Sequence, residues 1–570
     1  MRSAVFVAGL LASAALAFGA CSFVTDFPEI ETLGGNGSGA DNPGGNNTGG
    51  DSSGGGGGGG GDGGGGSLPC VTAACENCLT APGSCPLLDP PIARLLGPPS
   101  LPDPGAATYV DIIEIVQKAN GPRYIGNFRD AGAAGLETSG ATLVMGNQQA
   151  GIILGVEGEA IRLAGACDDS GVTGGDEVVF SGATVADDEL VIAGVFEGGR
   201  MVFSTSTMDC STSPFVDAPT ATGTDFAPFL VWFDAATDTV DRSLEPGTSG
   251  KSLENGYLSD VAAMPGGAVG RVAAIGAAGR NPFGTAAAFG GAYQYYVLVT
   301  ADSSPTALEP LGLGTCGSFS QLDALRSSIA VDLSGGIWAA GTGCTLGQEG
   351  SPDRSFLTLF SDDTLQNPET RLLGSTDNPI GITEVAASEA MVIVAGTYSG
   401  NPVTLANGDD VPSGQTADGF VMAFTRAGWT NQADPVWFRR IASDGGDARV
   451  ETLATDGTRV FIGGRMGANG GIGNAEGCWA SNAPGRGRSF FAQLDEGTGA
   501  LDWLHVEGFE AAGAPDLEQF VARGMALLPL STGGLLTATG SHGEMLLECG
   551  DSSTNADGRP EVLLRLFNFQ

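Results

Sequence analysis

Short apolar runs separated by polar turns fill the chain from residue 104 onward, and almost none has the apolar spacing of a helix. One pattern recurs there: a β-rich run that ends in a small residue followed by Gly. The seven copies end at Gly126, Gly194, Gly276, Gly341, Gly396, Gly464 and Gly540. Their uneven spacing, from 55 to 82 residues, indicates a repeated core with insertions of different length in its loops.

Further strand-like runs surround each copy. Before it stand another apolar run and a turn, and Asp456-Gly457 and Gly335-Gly336 are hairpin signals because such turns need positive φ. After it comes an alternating aromatic or aliphatic run, at residues 151–156, 229–233, 296–299, 356–360, 420–424, 490–494 and 562–566. A last short run follows in some units, as at 436–441 and 503–506. The pattern therefore predicts about four strands per unit.

A unit of this size cannot shield both faces of its own sheet from water. Radial stacking gives every sheet two neighbours, so we predict an all-β fold, a single β-propeller over residues 104–570. Seven copies predict seven blades, with six and eight as the alternatives. We expect the small residue and its Gly on crowded inner strands, where backbones crowd the axis and bulky side chains would clash.

One stretch also resembles a known family. Residues 381–465 contain Val394-Ala395-Gly396-Thr397 and, further on, Ala417-Asp418-Gly419-Phe420-Val421. This order of strand, Ala-Gly, polar loop and Asp-Gly-Phe-Val resembles the SBBP repeat of bacterial β-propellers, and the likeness extends more loosely over residues 105–570. The resemblance implies a surface or secreted propeller and implies no activity.

The first twenty residues are typical of a secretory signal. Arg2 precedes the uncharged run Ala4–Ala20, which is too short to span a bilayer comfortably. The end, Ala17-Phe18-Gly19-Ala20-Cys21, resembles the lipobox of bacterial lipoproteins, although Phe18 stands where an aliphatic residue is usual. The resemblance implies removal of residues 1–20 and lipidation of Cys21, with several acyl chains for stable anchoring. Ordinary cleavage that leaves Cys21 as a plain thiol is the alternative. Ser22, rather than Asp, implies by the same resemblance the outer membrane or surface of a Gram-negative cell.

Residues 21–67 are predicted to be a disordered tether. Residues 34–66 are almost entirely Gly, Ser, Asn and Asp, so they bury too little apolar surface to offset their ordering entropy. A flexible coil of that length has a root-mean-square span of about 30 Å. Residues 68–103 are predicted to form a small Pro-rich neck, cross-linked through Cys70, Cys75, Cys78 and Cys85.

Eleven cysteines in an exported chain favour disulfides. With Cys21 lipidated, ten remain, and the neck cysteines have three pairings among which the sequence does not choose. A four-cysteine zinc site is the alternative there. The other six are expected to pair in sequence order: Cys167, Cys210, Cys316, Cys344, Cys478 and Cys549.

The charge restricts the partners. With 65 acidic and 25 basic residues the net charge is −40, which excludes nucleic acid and anionic headgroups, so the lipid anchor is the only predicted membrane contact. Two His leave little room for a His-based metal site, and we predict no metal site or cofactor. Bound Ca²⁺ is the alternative, at the acidic pairs Asp168-Asp169, Asp362-Asp363 and Asp409-Asp410, although none has the spacing of a dedicated Ca²⁺ loop.

No catalytic constellation stands out. The glycine clusters match no nucleotide-binding fingerprint, and no nucleophile elbow precedes a helix. Residues 332–338 weakly resemble the Asp-box of sialidase-like propellers, with its Ser and Thr misplaced. His505 is expected to be a sheet residue, whereas His542 follows a strand near a place where a pocket could lie.

We therefore predict a monomeric, non-enzymatic envelope lipoprotein whose propeller binds a protein or glycan through loops on one face. The longest candidate loops are 197–228 and 466–488. The binding candidates are Trp479, Arg486, Arg488 and His542. The rival hypothesis is a polysaccharide hydrolase or lyase with its site at the axis. Such an enzyme would show an open axial funnel lined by converging acids. A scaffold without a specific ligand is the third hypothesis.

Overall fold

Seven radial sheets surround a common axis in the computed structural model of the chain. The structure describes residues 93–96, 109–129, 136–138, 141–143, 149–167, 177–197, 200–205, 215–217, 226–244, 246, 256–283, 289, 293–312, 327–343, 354–375, 378–400, 403–408, 411, 414–442, 448–466, 471–474, 477–480, 487–510, 523–542, 544–547 and 560–569. The tether and most of the neck therefore lie outside the described residues.

In chain order, the first eighteen described strands are β1 (Ala93–Leu96), β2 (Tyr109–Lys118), β3 (Gly121–Arg129), β4 (Leu136–Thr138), β5 (Ala141–Leu143), β6 (Gln149–Leu154), β7 (Ala160–Cys167), β8 (Val178–Ala186), β9 (Glu189–Glu197), β10 (Arg200–Ser204), β11 (Phe215–Asp217), β12 (Phe226–Phe233), β13 (Val240–Leu244), β14 (Gly256–Ala263), β15 (Val272–Ala278), β16 (Gln294–Thr300), β17 (Pro305–Pro310) and β18 (Ser327–Val331). The others are β19 (Ile337–Gly343), β20 (Arg354–Phe360), β21 (Glu369–Leu373), β22 (Ile380–Ala387), β23 (Met391–Gly400), β24 (Gly414–Thr425), β25 (Trp437–Ala442), β26 (Arg449–Thr455), β27 (Arg459–Met466), β28 (Gly471–Asn474), β29 (Gly477–Ala480), β30 (Gly487–Asp495), β31 (Leu501–Glu510), β32 (Arg523–Pro529), β33 (Gly534–His542), β34 (Glu544–Leu547) and β35 (Pro560–Asn568). One short helix, α1 (Arg426–Thr430), follows β24.

Each blade is a four-stranded antiparallel sheet, with its strands ordered from the axis outward. Blade 1 is β2-β3-β6-β7, blade 2 is β8-β9-β12-β13, and blades 3, 4 and 5 are β14 to β17, β18 to β21 and β22 to β25. Blade 6 is β26-β27-β30-β31, and blade 7 is β32-β33-β35-β1. The seven innermost strands contact one another in sequence, and β32 contacts β2, so the ring is closed. The prediction of a seven-bladed propeller is confirmed.

The repeated pattern maps onto the blades. The seven glycines lie on the second strand of each blade, and the alternating runs, including residues 151–154, form the third strands. The glycines therefore lie on an inner strand of each blade, next to the innermost one. In five blades the glycine faces a backbone carbonyl of the innermost strand, which bulges there; at Gly396 a methyl group would overlap the carbonyl oxygen of Gly381. Close approach of two backbones at a β-bulge explains the requirement for Gly.

Antiparallel order gives the ring two different faces. The turns between the first and second strands and between the third and fourth strands lie on one face, which we call the turn face. The connections between the second and third strands, and those from one blade to the next, lie on the opposite face, which we call the loop face. The turn-face connections are short and almost completely described, whereas most of the undescribed segments belong to the loop face.

The ring is closed by the earliest described strand. β1 pairs with β35, in antiparallel register from Ala93 opposite Leu564 to Leu96 opposite Glu561. Residues 93–96, which were predicted to belong to the neck, thus form the fourth strand of blade 7. Because β35 runs from the loop face to the turn face, β1 runs the opposite way, and the chain reaches Ala93 from the turn face.

Four insertions on the loop face connect neighbouring blades. In blades 1, 2, 6 and 7 the connection between the second and third strands supplies extra strands that pair with the outer edge of the preceding blade: β4-β5 on blade 7, β10-β11 on blade 1, β28-β29 on blade 5 and β34 on blade 6. The candidate loops 197–228 and 466–488 are thus partly strand. These insertions extend the sheet edges of four consecutive blades, 5, 6, 7 and 1.

Arginines on fourth strands connect the blades on the turn face. Arg439 of blade 5 donates from Nε to the Gly499 carbonyl and from Nη2 to the Thr498 carbonyl, both at 2.6 Å, in the turn between the third and fourth strands of blade 6. Arg371, Arg242 and Arg162 donate to the corresponding turn of the next blade. Several of the few basic residues therefore hold blades together.

Candidate functional site

Acidic side chains converge at the axis of the ring. Glu114 of blade 1, Asp260 of blade 3 and Glu384 of blade 5 occupy the same register on their innermost strands, directly after the bulge. The corresponding position holds Ser328 in blade 4, Gly182 in blade 2 and Thr452 in blade 6. Three carboxylates thus alternate with small or hydroxyl residues around the axis. We call Glu114, Asp260, Ser328 and Glu384 the axial cluster.

Hydrogen bonds connect three members of the axial cluster across blades 3, 4 and 5. Asp260 Oδ2 accepts from the Ser328 hydroxyl at 2.9 Å and from the Ile329 amide at 2.8 Å, and Oδ1 accepts from the Val261 amide at 2.7 Å. Ser328 Oγ also lies 3.4 Å from Glu384 Oε2 and accepts from the Val385 amide at 3.3 Å. Three donors on one carboxylate favour its ionised form.

Glu114 is the remaining carboxylate of the cluster. Its Oε2 is buried without a hydrogen-bond partner, and the residue is 1% exposed. Burial and, secondly, the negative charge of Asp260 raise the pKa of Glu114 well above its usual range. Blades 1 and 3 are not neighbours, so this interaction runs across the axis.

The axial cluster shows converging acids, as the enzyme hypothesis expects, and deep burial, as the binding hypothesis expects. Converging acids with a raised pKa are what an axial enzyme site would show, but Asp260 and Glu384 are 0% exposed, and an open funnel would leave them in contact with solvent. Within the described ranges, no three His, Cys, Asp or Glu side chains are placed to hold a metal ion. The arrangement can hold protons and connect blades; a substrate would have to displace buried groups to reach it.

The predicted binding residues are brought to one face. Trp479 lies on β29 in a loop-face connection of blade 6, and Arg488 and His542 lie at the loop-face ends of β30 and β33. Trp479 is opposite Ile472 in the hairpin that extends blade 5, and His542 is opposite Pro560. Arg486 and the side chains of the other three lie outside what the structure describes. Topology thus places the backbones of three candidates on the loop face.

Acidic turns on the turn face have a structural role. Asp332, 0% exposed, accepts at Oδ1 from Ser334 and Gly336 and at Oδ2 from the Trp338 indole at 3.1 Å and from Arg426 at 2.9 Å. Asp362 accepts from the Thr364 hydroxyl and amide, which lower the pKa of its carboxyl group. These carboxylates close turns, so the Asp-box resemblance and one Ca²⁺ candidate correspond to turn-capping sites.

The other residues singled out from the sequence are dispersed over the ring. Asp363 pairs with Arg271 of the preceding blade. His505 is a buried sheet residue on β31, stacked on Trp503 with ring centroids 6.0 Å apart. Among the predicted disulfide cysteines, only Cys167 and Cys478 fall on described strands, β7 and β29, and their side chains are not described. Asp168-Asp169, Asp409-Asp410, Cys21 and the other predicted disulfide cysteines lie outside the described residues.

The axial acids were missed by sequence reasoning, although a signal was present. An acid stands in the middle of the first run of three units: Ile113-Glu114-Ile115, Ser259-Asp260-Val261 and Thr383-Glu384-Val385. Aligned on the repeated glycines through the register of the first two strands, the three positions coincide. An acid that recurs at the same position of the first strand in several units indicates that this position lies at the axis.

Among the described residues, no helix has the length and apolar character needed to cross a bilayer. No family model matches the chain, and no curated protein matches it.

Solved structures do match, at low similarity. They include BamB from Moraxella catarrhalis, 13% identical over 79% of this chain and 95% of that chain, with a TM-score of 0.30. The Dos1 propeller is 10% identical over 80% of this chain and 93% of that chain, with a TM-score of 0.35. An ulvan lyase from a family of polysaccharide lyases is 11% identical over 65% of this chain and 80% of that chain, with a TM-score of 0.30. Likeness at this level assigns no activity to this chain.

Proposed function

We propose that this chain is a cell-envelope lipoprotein that displays its propeller as a binding module for a protein or glycan and catalyses no reaction at its axis. The lipid is expected on Cys21, and the binding surface on the loop face. The direction of β1 is the observation that carries the proposal.

The direction of β1 supports a tether attached on the side opposite the long connections. The chain enters the propeller at Ala93 from the turn face, since β1 is antiparallel to β35. A lipid at Cys21 would therefore be attached on the side of the turn face. The loop face, which carries Trp479, Arg488 and His542, would then point away from the membrane, where partners are met.

Burial at the axis supports binding rather than catalysis. A general acid or nucleophile must contact its substrate, but the acids of the axial cluster are at most 1% exposed, and Asp260 is occupied by three donors. The loop-face insertions that extend blades 5, 6, 7 and 1 form a broad surface on a rigid support.

The anchor is tested by metabolic labelling with a clickable fatty acid in a Gram-negative host. Full-length wild type should be labelled, and Cys21→Ala should not. Equal labelling of both proteins would remove the anchor from the proposal.

The binding surface is tested on arrays of envelope polysaccharides and envelope proteins with full-length detergent-solubilised protein. Trp479→Ala and Arg488→Ala should weaken capture of the array component that wild type binds by about tenfold or more, as loss of a binding hot spot does. Turnover of a polysaccharide that Asp260→Asn abolishes would favour the axial enzyme instead.

A further inference from the structure

The axial cluster has a property that the proposed binding function does not use. Two carboxylates from non-adjacent blades, Glu114 and Asp260, act on each other across the axis, and both are buried. Asp260 accepts from two backbone amides and the Ser328 hydroxyl, and these three donors favour its charged form. Glu114 has one backbone donor, the Ile115 amide, and its Oε2 has no partner. Of the two, Glu114 is therefore the group that takes up a proton.

No described side chain of the strands packed against β2 places a positive charge at the level of Glu114. β8 has no titratable side chain. On β3, Arg123 is paired with Asp238 at the turn face, and Tyr124 is buried. The charged or titratable residues of the other strands packed on β2 are Arg523 of β32, His542 of β33 and Glu561 and Arg565 of β35. Arg523, His542 and Glu561 stand at the loop-face ends of their strands, and their side chains lie outside the described residues. Arg565 is opposite Thr537 of β33, which separates it from β32.

We propose that the axial cluster is a proton-operated switch: the closed ring holds a proton on Glu114, and loss of that proton sets two negative charges, Glu114 and Asp260, against each other across the axis. The innermost strands carry this repulsion directly. Asp260 and Glu384 are hydrogen-bonded to the innermost strand of blade 4, so a shift of either carboxylate moves the contacts among blades 3, 4 and 5.

The direction of the pH effect follows from proton binding. In the unfolded chain Glu114 has its ordinary pKa, near 4.5, and in the ring burial and Asp260 raise that pKa. The folded state therefore binds the proton more tightly, and its stabilising effect is complete below the ordinary pKa. This stabilisation is lost as the pH rises from there through the raised pKa of the folded state.

The test compares melting temperatures of full-length wild type, Glu114→Gln and Glu157→Gln from about pH 5 to pH 9. Glu157 is exposed in the turn between β6 and β7, so its variant removes one charge without touching the axis. The advantage of Glu114→Gln over wild type should grow by several degrees as the pH rises, while Glu157→Gln stays parallel to wild type. Parallel curves for Glu114→Gln, or equal growth in both variants, would overturn the proposal.

A second measurement keeps the proposal testable if Glu114→Gln does not fold. The infrared spectrum of wild type at neutral pH should contain the carbonyl stretch of a protonated carboxylic acid, and raising the pH should remove that band together with part of the thermal stability. If Glu114→Gln is unfolded and wild type lacks the band at neutral pH, the switch is refuted.

Discussion

Leu95 is the side chain through which β1 holds blade 7 closed. It is 0% exposed and belongs to an apolar cluster that also contains Ile112 of blade 1 and Val562 and Leu564 of β35. Because β1 has only four residues, we expect Leu95 to supply much of the apolar contact that attaches this strand. Leu95→Ala should therefore destabilise the ring at its closure.

The size of the effect follows from burial. Removing a fully buried leucine side chain to the β-carbon costs about 2–5 kcal/mol, because apolar contacts are lost and a cavity remains. We expect about 3 kcal/mol for Leu95→Ala, since blades 1 and 7 enclose the side chain. Leu372→Ala is the matched control, because Leu372 lies on another fourth strand, β21, but is 42% exposed. The control should cost less than about 1 kcal/mol.

Guanidinium unfolding followed by tryptophan fluorescence measures both variants. The midpoint should fall clearly for Leu95→Ala and little for Leu372→Ala. Limited proteolysis under native conditions should then cleave Leu95→Ala first near residues 97–108, since the opened strand exposes its flanks. If Leu95→Ala is as stable as Leu372→Ala, β1 does not close the ring.

Other substitutions test the remaining features of the fold. Gly396→Ala should lower the free energy of unfolding by about 3 kcal/mol, because its methyl group meets the Gly381 carbonyl. Gly497→Ala, whose nearest neighbour is 3.7 Å away, should change it by no more than about 0.5 kcal/mol. Equal costs would contradict the role of the bulge. Arg439→Met should lower the free energy of unfolding by about 1–2 kcal/mol, because two hydrogen bonds to blade 6 are lost. Arg162→Met should lower it by less than about 0.5 kcal/mol, because its 3.2 Å hydrogen bond to Thr237 is exposed. A larger loss for Arg162→Met would refute the ranking of these contacts.

The blades could be predicted from sequence because their signals are local. The glycines recur at a bulge that every blade repeats, and the alternating third strands, such as Phe229–Phe233, are buried between blades and so keep an apolar pattern.

The insertions and the closing strand could not be predicted in the same way. β28 reads Gly-Ile-Gly-Asn and β4 reads Leu-Glu-Thr, so neither has an alternation long enough to indicate a strand. Their pairing partners are outer edges of other blades, and β1 pairs with a strand more than 460 residues later in the chain. Such pairing depends on the assembled ring rather than on local preference.

The axial cluster was hidden by composition. With 65 acidic residues in the chain, an acid in a strand is most simply interpreted as part of a solvated surface. Only the register of the innermost strands shows that Glu114, Asp260 and Glu384 occupy one level of the ring. The candidates Trp479, Arg486 and Arg488 were chosen because they belong to a basic spot on an acidic chain, and their chemistry depends on side chains outside the described residues.

Affinity for the array component that wild type captures, compared between loop-face and axial variants, tests the central claim most directly. Titration of that component by Trp479→Ala, Arg488→Ala and Glu114→Gln, at a pH where all three are folded, separates the two sites. A loop-face binding module predicts weakened binding by the first two and wild-type affinity for Glu114→Gln. Wild-type affinity of both loop-face variants together with loss of binding in Glu114→Gln would contradict it.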